Sequence, residues 1–199
     1  MKKLSTYLFL IFFSFQAPSW TDDVRDFQIE GMSVGDSLLD YFSEDIIKSK
    51  KEFLYKNQDY FSVMFYKNPR FEVYDSVQFH IKKNDKKYKI STIAGLIYFK
   101  DNINDCYNKK NEIISELNNF FSDNIKKKYD YEYKYINSDK SGKSISNITV
   151  FELNTDDAVR VMCDDWSEKM TKAKNYWDAL RITIEPKEFI LWMKNKSGQ

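Results

Sequence analysis

Apolar and polar residues alternate in two separate regions of the chain, and this period of two is typical of half-buried β-strands. The first region predicts a strand over 61–66, an alternating strand over 77–81 and a return strand over 88–99. Gly95 lies inside the return strand, where a glycine often marks a β-bulge. The second region predicts further strands over 129–135, 148–151, 159–163 and 180–184.

Helical spacing of apolar residues appears before the first strand region. Ser33 is predicted to cap a short helix over 33–41, because Asp36 follows three residues later as in a capping box. A second helix is expected to begin at Ser43. Its apolar residues follow directly, so the two helices would form one unit ahead of the strands.

A longer helix is predicted between the two strand regions, beginning at Asn104 or Asp105. Its apolar positions are Ile113, Ile114, Leu117, Phe120 and Phe121. The lysines at 126–128 would follow its end, where positive charge suits the helix dipole. Pro186 fits the first turn of a closing helix. The inner side of that helix is predicted to carry Phe189, Ile190, Trp192 and Met193.

The order of these elements indicates the fold class. Helices, then strands, then a helix and strands again are typical of an α+β protein with helices packed on an antiparallel β-meander sheet. The helix-then-meander order occurs twice, which favours two tandem helix-plus-sheet units with a pseudo-repeat boundary near residue 103. We expect both to belong to a single domain over 20–199.

The N-terminal segment has the pattern of a signal peptide. Two lysines precede an almost wholly apolar run over 4–15, which is too short for a bilayer that needs roughly 20 residues. Ala17 and Ser19 supply the small residues of a cleavage site. We therefore predict a signal peptide over 1–19, with an uncleaved membrane anchor as the alternative. Cleavage would place the mature chain in the periplasm or outside the cell.

Composition and charge narrow the function classes. Hydrophobic residues make up 42% of the chain and aromatic residues 17%, enough for a packed core. The 31 basic and 30 acidic residues give no electrostatic argument for nucleic acid. No run beyond the N-terminal segment is apolar enough to cross a membrane, so no transmembrane segment is expected in the mature chain.

The chain has two cysteines, Cys106 and Cys163, both in the part predicted to be exported. An even count in an oxidising compartment favours a disulfide between them. Their spacing excludes a C-x-x-C redox motif. The alternative is a pair of free buried thiols.

One short segment carries a family resemblance. Residues 31–38 (GMSVGDSL) resemble the start of the first helix in BamE-type (SmpA-type) outer-membrane assembly proteins and in the β-lactamase-inhibitor-protein-like fold. The resemblance implies a periplasmic protein that binds other proteins, and a tandem inhibitor-like arrangement would suit the chain length. Unlike BamE, this chain has no lipid-anchor cysteine after its apolar run. As a whole it also resembles secreted proteins of AT-rich marine bacteria, which implies no activity.

Candidate catalytic and metal motifs are incomplete. Residues 31–35 match G-x-S-x-G, but a serine hydrolase using Ser33 needs a late histidine and the chain has only His80. Alternation places His80 opposite its apolar neighbours, so we expect it to face solvent. The stretch 137–142 looks like part of a calcium loop, yet its twelfth position is Ile148 instead of glutamate, which favours a turn. We predict no metal, no cofactor and no enzymatic activity.

A tyrosine stripe is the most distinctive feature. Tyr129, Tyr131, Tyr133 and Tyr135 alternate with charged residues, so a strand places all four rings on one face. The preferred interpretation is core packing under a helix, and the second is an exposed binding surface.

These patterns together predict a non-enzymatic binding or accessory protein of the cell envelope. Its partner would be another envelope protein, contacted through protein–protein interactions. The alternatives are a small serine hydrolase using Ser33 and a glycan or lipid binder using the tyrosine-rich strand.

Overall fold

A computed structural model describes residues 24–55, 58–100, 102–121 and 124–196. The predicted signal peptide over 1–19 lies outside these residues. In chain order the strands are β1 (Gln28–Ile29), β2 (Met32–Ser33), β3 (Lys51–Glu52), β4 (Tyr60–Tyr66), β5 (Ser76–Lys82), β6 (Ile90–Tyr98), β7 (Ile125–Lys134), β8 (Ile145–Leu153), β9 (Ala158–Asp165) and β10 (Ala179–Glu185). The helices are α1 (Glu44–Ser49), α2 (Ile103–Phe121), α3 (Glu168–Lys174) and α4 (Lys187–Lys196). Short 3-10 turns cover Val24–Asp26 and Leu38–Asp40.

The strands form an eight-stranded sheet in the order β3-β4-β5-β6-β10-β9-β8-β7, and β1 pairs with β2 in a separate two-stranded sheet. All strand pairs are antiparallel. The prediction of an α+β fold with an antiparallel sheet is therefore confirmed. Strands β6 and β10 pair in the middle, with Ile182 opposite Gly95.

One face of the sheet carries the main hydrophobic core. Alternate positions of β4, β5, β9 and β10 are buried there, as the period of two predicted. They are Phe61, Val63, Phe65, Val77, Phe79, Ile81, Val159, Val161, Leu180, Ile182 and Ile184. Ile113, Leu117 and Phe121 of α2 belong to the same cluster. A disulfide between Cys106 of α2 and Cys163 of β9 joins the two elements, with 6.1 Å between the Cα atoms.

Gly95 allows a close approach instead of marking a bulge. A Cβ atom at this position would lie 2.5 Å from the ring of Tyr74, so only glycine leaves room for that ring. The register shift between β5 and β6 falls at His80 and Ile81. The predicted bulge at Gly95 is therefore wrong.

The predicted helix over 33–41 is also wrong. Ser33 ends β2, and the only helical turn in this stretch is the 3-10 turn Leu38–Asp40. Ser37 caps that turn, since its hydroxyl accepts from the Leu39 backbone N–H at 3.3 Å. Asp36 does reach back, as its Oδ2 accepts from the Ser33 backbone N–H at 2.9 Å. The capping sequence therefore stabilises a turn that follows β2 and does not begin an α-helix.

Two further elements differ from the sequence prediction. The lysines at 126–128 follow the end of α2, but they lie within β7 and not at the helix terminus. Met193 of α4 is exposed although Phe189 and Ile190 of the same helix are buried. Among the described residues, no helix combines the length and the apolar character that crossing a bilayer requires.

Candidate functional site

The second face of the sheet holds the candidate site. Successive side chains along a strand point to opposite faces, so the positions between the core residues define this face. We call it the outer face. Its larger side chains include Met64, Tyr66, Gln78, Tyr98, Tyr129, Tyr131, Tyr133, Met162 and Arg181.

The tyrosine stripe lies on the outer face, where Tyr129 packs against a small hydrophobic cluster that includes Ile190 of α4. Tyr131 is 38% exposed and Tyr133 is 47% exposed, so the preferred prediction of core packing is wrong for both. Tyr129 and Tyr135 are half-buried. The rings of Tyr129 and Tyr131 stack at 6.2 Å, while Tyr135 stacks on Trp166 at 4.4 Å. The structure thus orders the stripe while leaving its middle accessible.

Tyr66 extends the accessible surface across the sheet. It ends β4 and is 62% exposed. Between it and the stripe, Tyr98 of β6 and Met162 of β9 are half-buried. The Tyr98 hydroxyl lies 2.8 Å from Ser76 Oγ, which anchors that ring at its polar end. Aromatic side chains therefore reach solvent on both halves of the outer face.

Arg181 stands on β10 near the centre of the outer face. Its Nη2 lies 3.1 Å from Asp164 Oδ2, and its side chain is 30% exposed. The other oxygen of Asp164 accepts from the Tyr135 hydroxyl at 2.7 Å. The buried Nε of Arg181 has no hydrogen-bond partner in the described part of the chain. A guanidinium fixed by one carboxylate still presents donors to the surface.

Helix α4 covers one end of the outer face with aromatic side chains. Trp192 stacks near Tyr60 with 4.6 Å between ring centroids, and its Nε1 donates to Asp59 Oδ2 at 2.9 Å. Phe189 lies 5.3 Å from His80. Ile190 of this helix also belongs to a small hydrophobic cluster against which Tyr129 and Met162 pack. Tyr66, Tyr131 and Tyr133 remain exposed.

His80 is buried beneath α4, so the prediction that it faces solvent is wrong. Alternation assigned it to the correct face, but α4 covers that end. Its Nε2 lies 3.2 Å from the Tyr55 hydroxyl. Burial first, and the positive charge of Arg181 second, together lower the pKa of His80 to about 4. At neutral pH this imidazole is uncharged.

Asp139, in the loop between β7 and β8, stabilises the opposite end of the outer face through hydrogen bonds. Its Oδ2 accepts from Ser144 Oγ at 2.7 Å and from Ser167 Oγ at 2.8 Å. Ser141 donates its backbone N–H and its hydroxyl to Oδ1 at 3.0 and 2.7 Å. These hydrogen bonds, those of Ser144 first, hold the pKa of Asp139 well below its usual value. The loop is a turn as expected, and this carboxylate serves the fold.

Ser33 is placed differently from a catalytic serine. It is only 6% exposed, whereas an elbow nucleophile must stand exposed on a strand-to-helix turn. Its neighbours Met32 and Val34 belong to the core, while His80 lies on the outer face. The structure does not bring Ser33 and His80 together. In the described ranges, no group of at least three His, Cys, Asp or Glu side chains could hold a metal ion.

A cleft between α4 and strands β7 to β9 carries several basic side chains. Lys187 Nζ lies 2.8 Å from Asp156 Oδ2. Arg160 donates from Nε to Glu185 at 2.6 Å and from Nη1 to the Tyr131 hydroxyl at 2.8 Å. These cations already face acidic side chains, so the cleft is weaker than the open part of the face as a binding site.

Comparison with known proteins adds no indication of function to this geometry. No protein-family model, curated protein or solved structure matches the chain.

Sequence reasoning found the tyrosine stripe but missed its neighbours on other strands. Arg181 stands between Leu180 and Ile182, so the same alternation that predicted β10 already assigned its side chain to the face opposite the core. Tyr66 is the last residue of a largely apolar run, and nothing in the sequence marked it as part of a site. What the sequence lacked was the strand order, which brings these residues together.

Proposed function

We propose that the chain is a non-enzymatic binding protein of the cell envelope whose outer face contacts another protein. The observation that carries the proposal is the exposed aromatic surface around Arg181. Tyrosine, methionine and arginine are enriched at protein–protein interfaces, and tyrosine and arginine also among the residues that dominate binding energy.

The rigidity of this surface supports protein binding. Its side chains stand on adjacent strands of one sheet, so little conformational entropy would be lost on binding. Arg181 is held by Asp164, and Tyr131 is held by Arg160, so both are oriented before a partner arrives. Exposed rings around a fixed guanidinium match the anatomy of an interaction hot spot.

The proposal also extends to architecture and location. Strands β3–β6 and β7–β10 each run in chain order, and the last strand of each set lies in the middle of the sheet. This order supports two tandem helix-plus-sheet units. The disulfide between Cys106 and Cys163 supports an exported location, since disulfides persist in oxidising compartments.

A glycan binder is the second candidate, favoured by the exposed rings of Tyr131 and Tyr133. Protein binding is preferred because Arg181 and Met162 lie on the same face as the exposed rings. Tyr66 also extends the accessible surface far beyond the size of one sugar ring. The serine hydrolase alternative has no support in the position of Ser33, which is buried at the end of β2.

Replacing Tyr131 and Tyr133 with threonine should weaken partner retention strongly while the fold survives. Threonine keeps β propensity, and neither ring is buried, so we expect the free energy of unfolding to change by less than about 1 kcal/mol. Loss of two exposed interface tyrosines should weaken binding by about tenfold or more. Thermal melting measures the first effect, and quantitative pull-down from envelope extract measures the second.

A matched control is Ile46→Thr with Val73→Thr, which removes two exposed apolar side chains outside the outer face. The control protein should retain the same partner as the wild type. Equal retention by the tyrosine variant and the control would argue against the proposal. Retention of peptidoglycan alone, lost in the tyrosine variant, would favour the glycan candidate.

A further inference from the structure

Strand β7 forms an exposed edge of the eight-stranded sheet. It is 10 residues long, and all of its residues except Ile125 and Tyr129 are exposed. Within the described ranges it pairs only with β8, so one side of its backbone has no strand partner. The opposite edge is β3, a strand of 2 residues. A long edge leaves a row of N–H and C=O groups that can pair with another strand.

The charges along β7 are ordered. After the register irregularity between Ile125 and Lys127, the core-facing row reads Lys128, Asp130, Glu132 and Lys134. Lys128 Nζ lies over the Phe151 ring, and Asp130 accepts from the Thr149 hydroxyl, which places both on that row. Two acidic residues therefore stand between two lysines on this row, each two positions from the next.

An antiparallel copy of β7 complements this order along most of the strand in one alignment. When the two copies are centred on Tyr129, Lys128 of each copy faces Asp130 of the other, which gives two opposite-charge pairs. Centring on Asp130 would oppose Lys128 and Glu132, but it would place the Asp130 carboxylate against itself. Centring on Tyr131 would pair Lys128 with Lys134 and Asp130 with Glu132. Directly opposed like charges destabilise a sheet, so the alignment on Tyr129 is favoured over both. Centring on Tyr133 would also oppose Glu132 and Lys134, but it would pair only residues 132–134 of β7.

The outer-face row is compatible with the same alignment. It brings the two copies of Tyr129 side by side and places Lys127 opposite Tyr131 of the second copy. Lys127 Nζ already lies 4.9 Å from the Tyr129 ring centroid within one chain. A second ring on its other side would add a further cation–π contact.

We propose that a second copy of this chain pairs with β7, antiparallel and centred on Tyr129, and joins two sheets into one continuous sheet. The two outer faces would then lie side by side on the same surface of the dimer. The proposal stands on the free edge and its charge order, and it is independent of what the outer face binds. Lysines on an edge also serve to prevent strand pairing, and the experiment separates these roles.

The test uses two charge reversals that complement each other. Lys128→Glu alone or Asp130→Lys alone turns both cross-strand pairs into like-charge pairs. Each variant should raise the dimer dissociation constant by about tenfold or more. An equimolar mixture restores two opposite-charge pairs, so heterodimers should form with near-wild-type affinity. Sedimentation equilibrium over a concentration series measures all four samples.

Lys134→Glu is the matched control, because this alignment leaves residue 134 outside the paired segment. It should dimerise like the wild type. A wild type that stays monomeric at every concentration would overturn the proposal, and so would single variants that dimerise unchanged. Failure of the mixture to recover would exclude the alignment on Tyr129.

A second variant keeps the test decisive if Asp130→Lys disturbs folding through its contact with Thr149. In the proposed alignment the two residues 129 are directly opposite, at a Cα separation of roughly 4.5–5.5 Å that a disulfide can span. Tyr129→Cys should therefore give a covalent dimer on mild oxidation. Tyr133→Cys should give none, because it faces Ile125 of the second copy. The reverse result would contradict the pairing.

Discussion

Replacing Cys106 and Cys163 together with alanine is expected to lower the free energy of unfolding by about 4 kcal/mol. The disulfide joins residues 57 apart in sequence, and closing a loop of this size restricts the unfolded chain by roughly that amount. It also fastens α2 to β9 at fully buried positions. Urea denaturation of the double variant and the wild type measures the difference.

Reduction provides the control for this result. Wild-type protein unfolded in the presence of a thiol reductant should reach the stability of the double variant, because both lack the same crosslink. The double variant itself should be insensitive to reductant. A loss below about 1 kcal/mol, or alkylation of both thiols in the protein isolated without reductant, would contradict the role assigned to the bond.

Acidification from pH 7 to pH 4 is expected to cost about 3 kcal/mol of stability through His80 alone. Burial, with a contribution from Arg181, lowers the pKa of His80 from 6.5 to about 4 in the folded protein. The unfolded chain therefore binds this proton first as the pH falls. Stability is full above the unfolded value and is lost progressively between about pH 6.5 and pH 4.

His80→Gln isolates this contribution. Glutamine keeps a polar group near the Tyr55 hydroxyl but does not titrate, while the carboxylates of both proteins remain the same. The difference in unfolding free energy between the two proteins should change by about 3 kcal/mol across this pH range. Urea denaturation at several pH values measures it. Parallel pH profiles for the two proteins would show that His80 is not buried as the structure has it.

The core positions could be predicted from the sequence because alternation is a local property. Phe79, Val161 and Ile182 each lie in a period-two pattern, and each is buried as that pattern requires. The helix predicted over 33–41 was wrong because its local signal fits two different structures. Its capping sequence satisfies a turn after β2 as well as it would satisfy a helix, and nothing local distinguishes the two.

The candidate site was only partly predictable, because alternation assigns a face without saying what covers it. His80 and Tyr131 both lie on the outer face, yet one is buried under α4 and the other is exposed. Their difference depends on where a helix more than 50 residues further along the chain comes to rest. Arg181 likewise joins the tyrosines only because β10 pairs between β6 and β9.

Site-specific photocrosslinking in cells that export the chain tests the proposed interface most directly. A photoreactive phenylalanine analogue would replace Tyr66 or Tyr133 on the outer face, with Ile46 on α1 as the control position. All three side chains are exposed, so labelling efficiency should be comparable. We predict that both outer-face positions crosslink to the same second protein, in addition to any crosslink from position 133 to another copy of the chain across β7, and that position 46 does not. No crosslink from either outer-face position, or the same partner captured from position 46, would contradict the account.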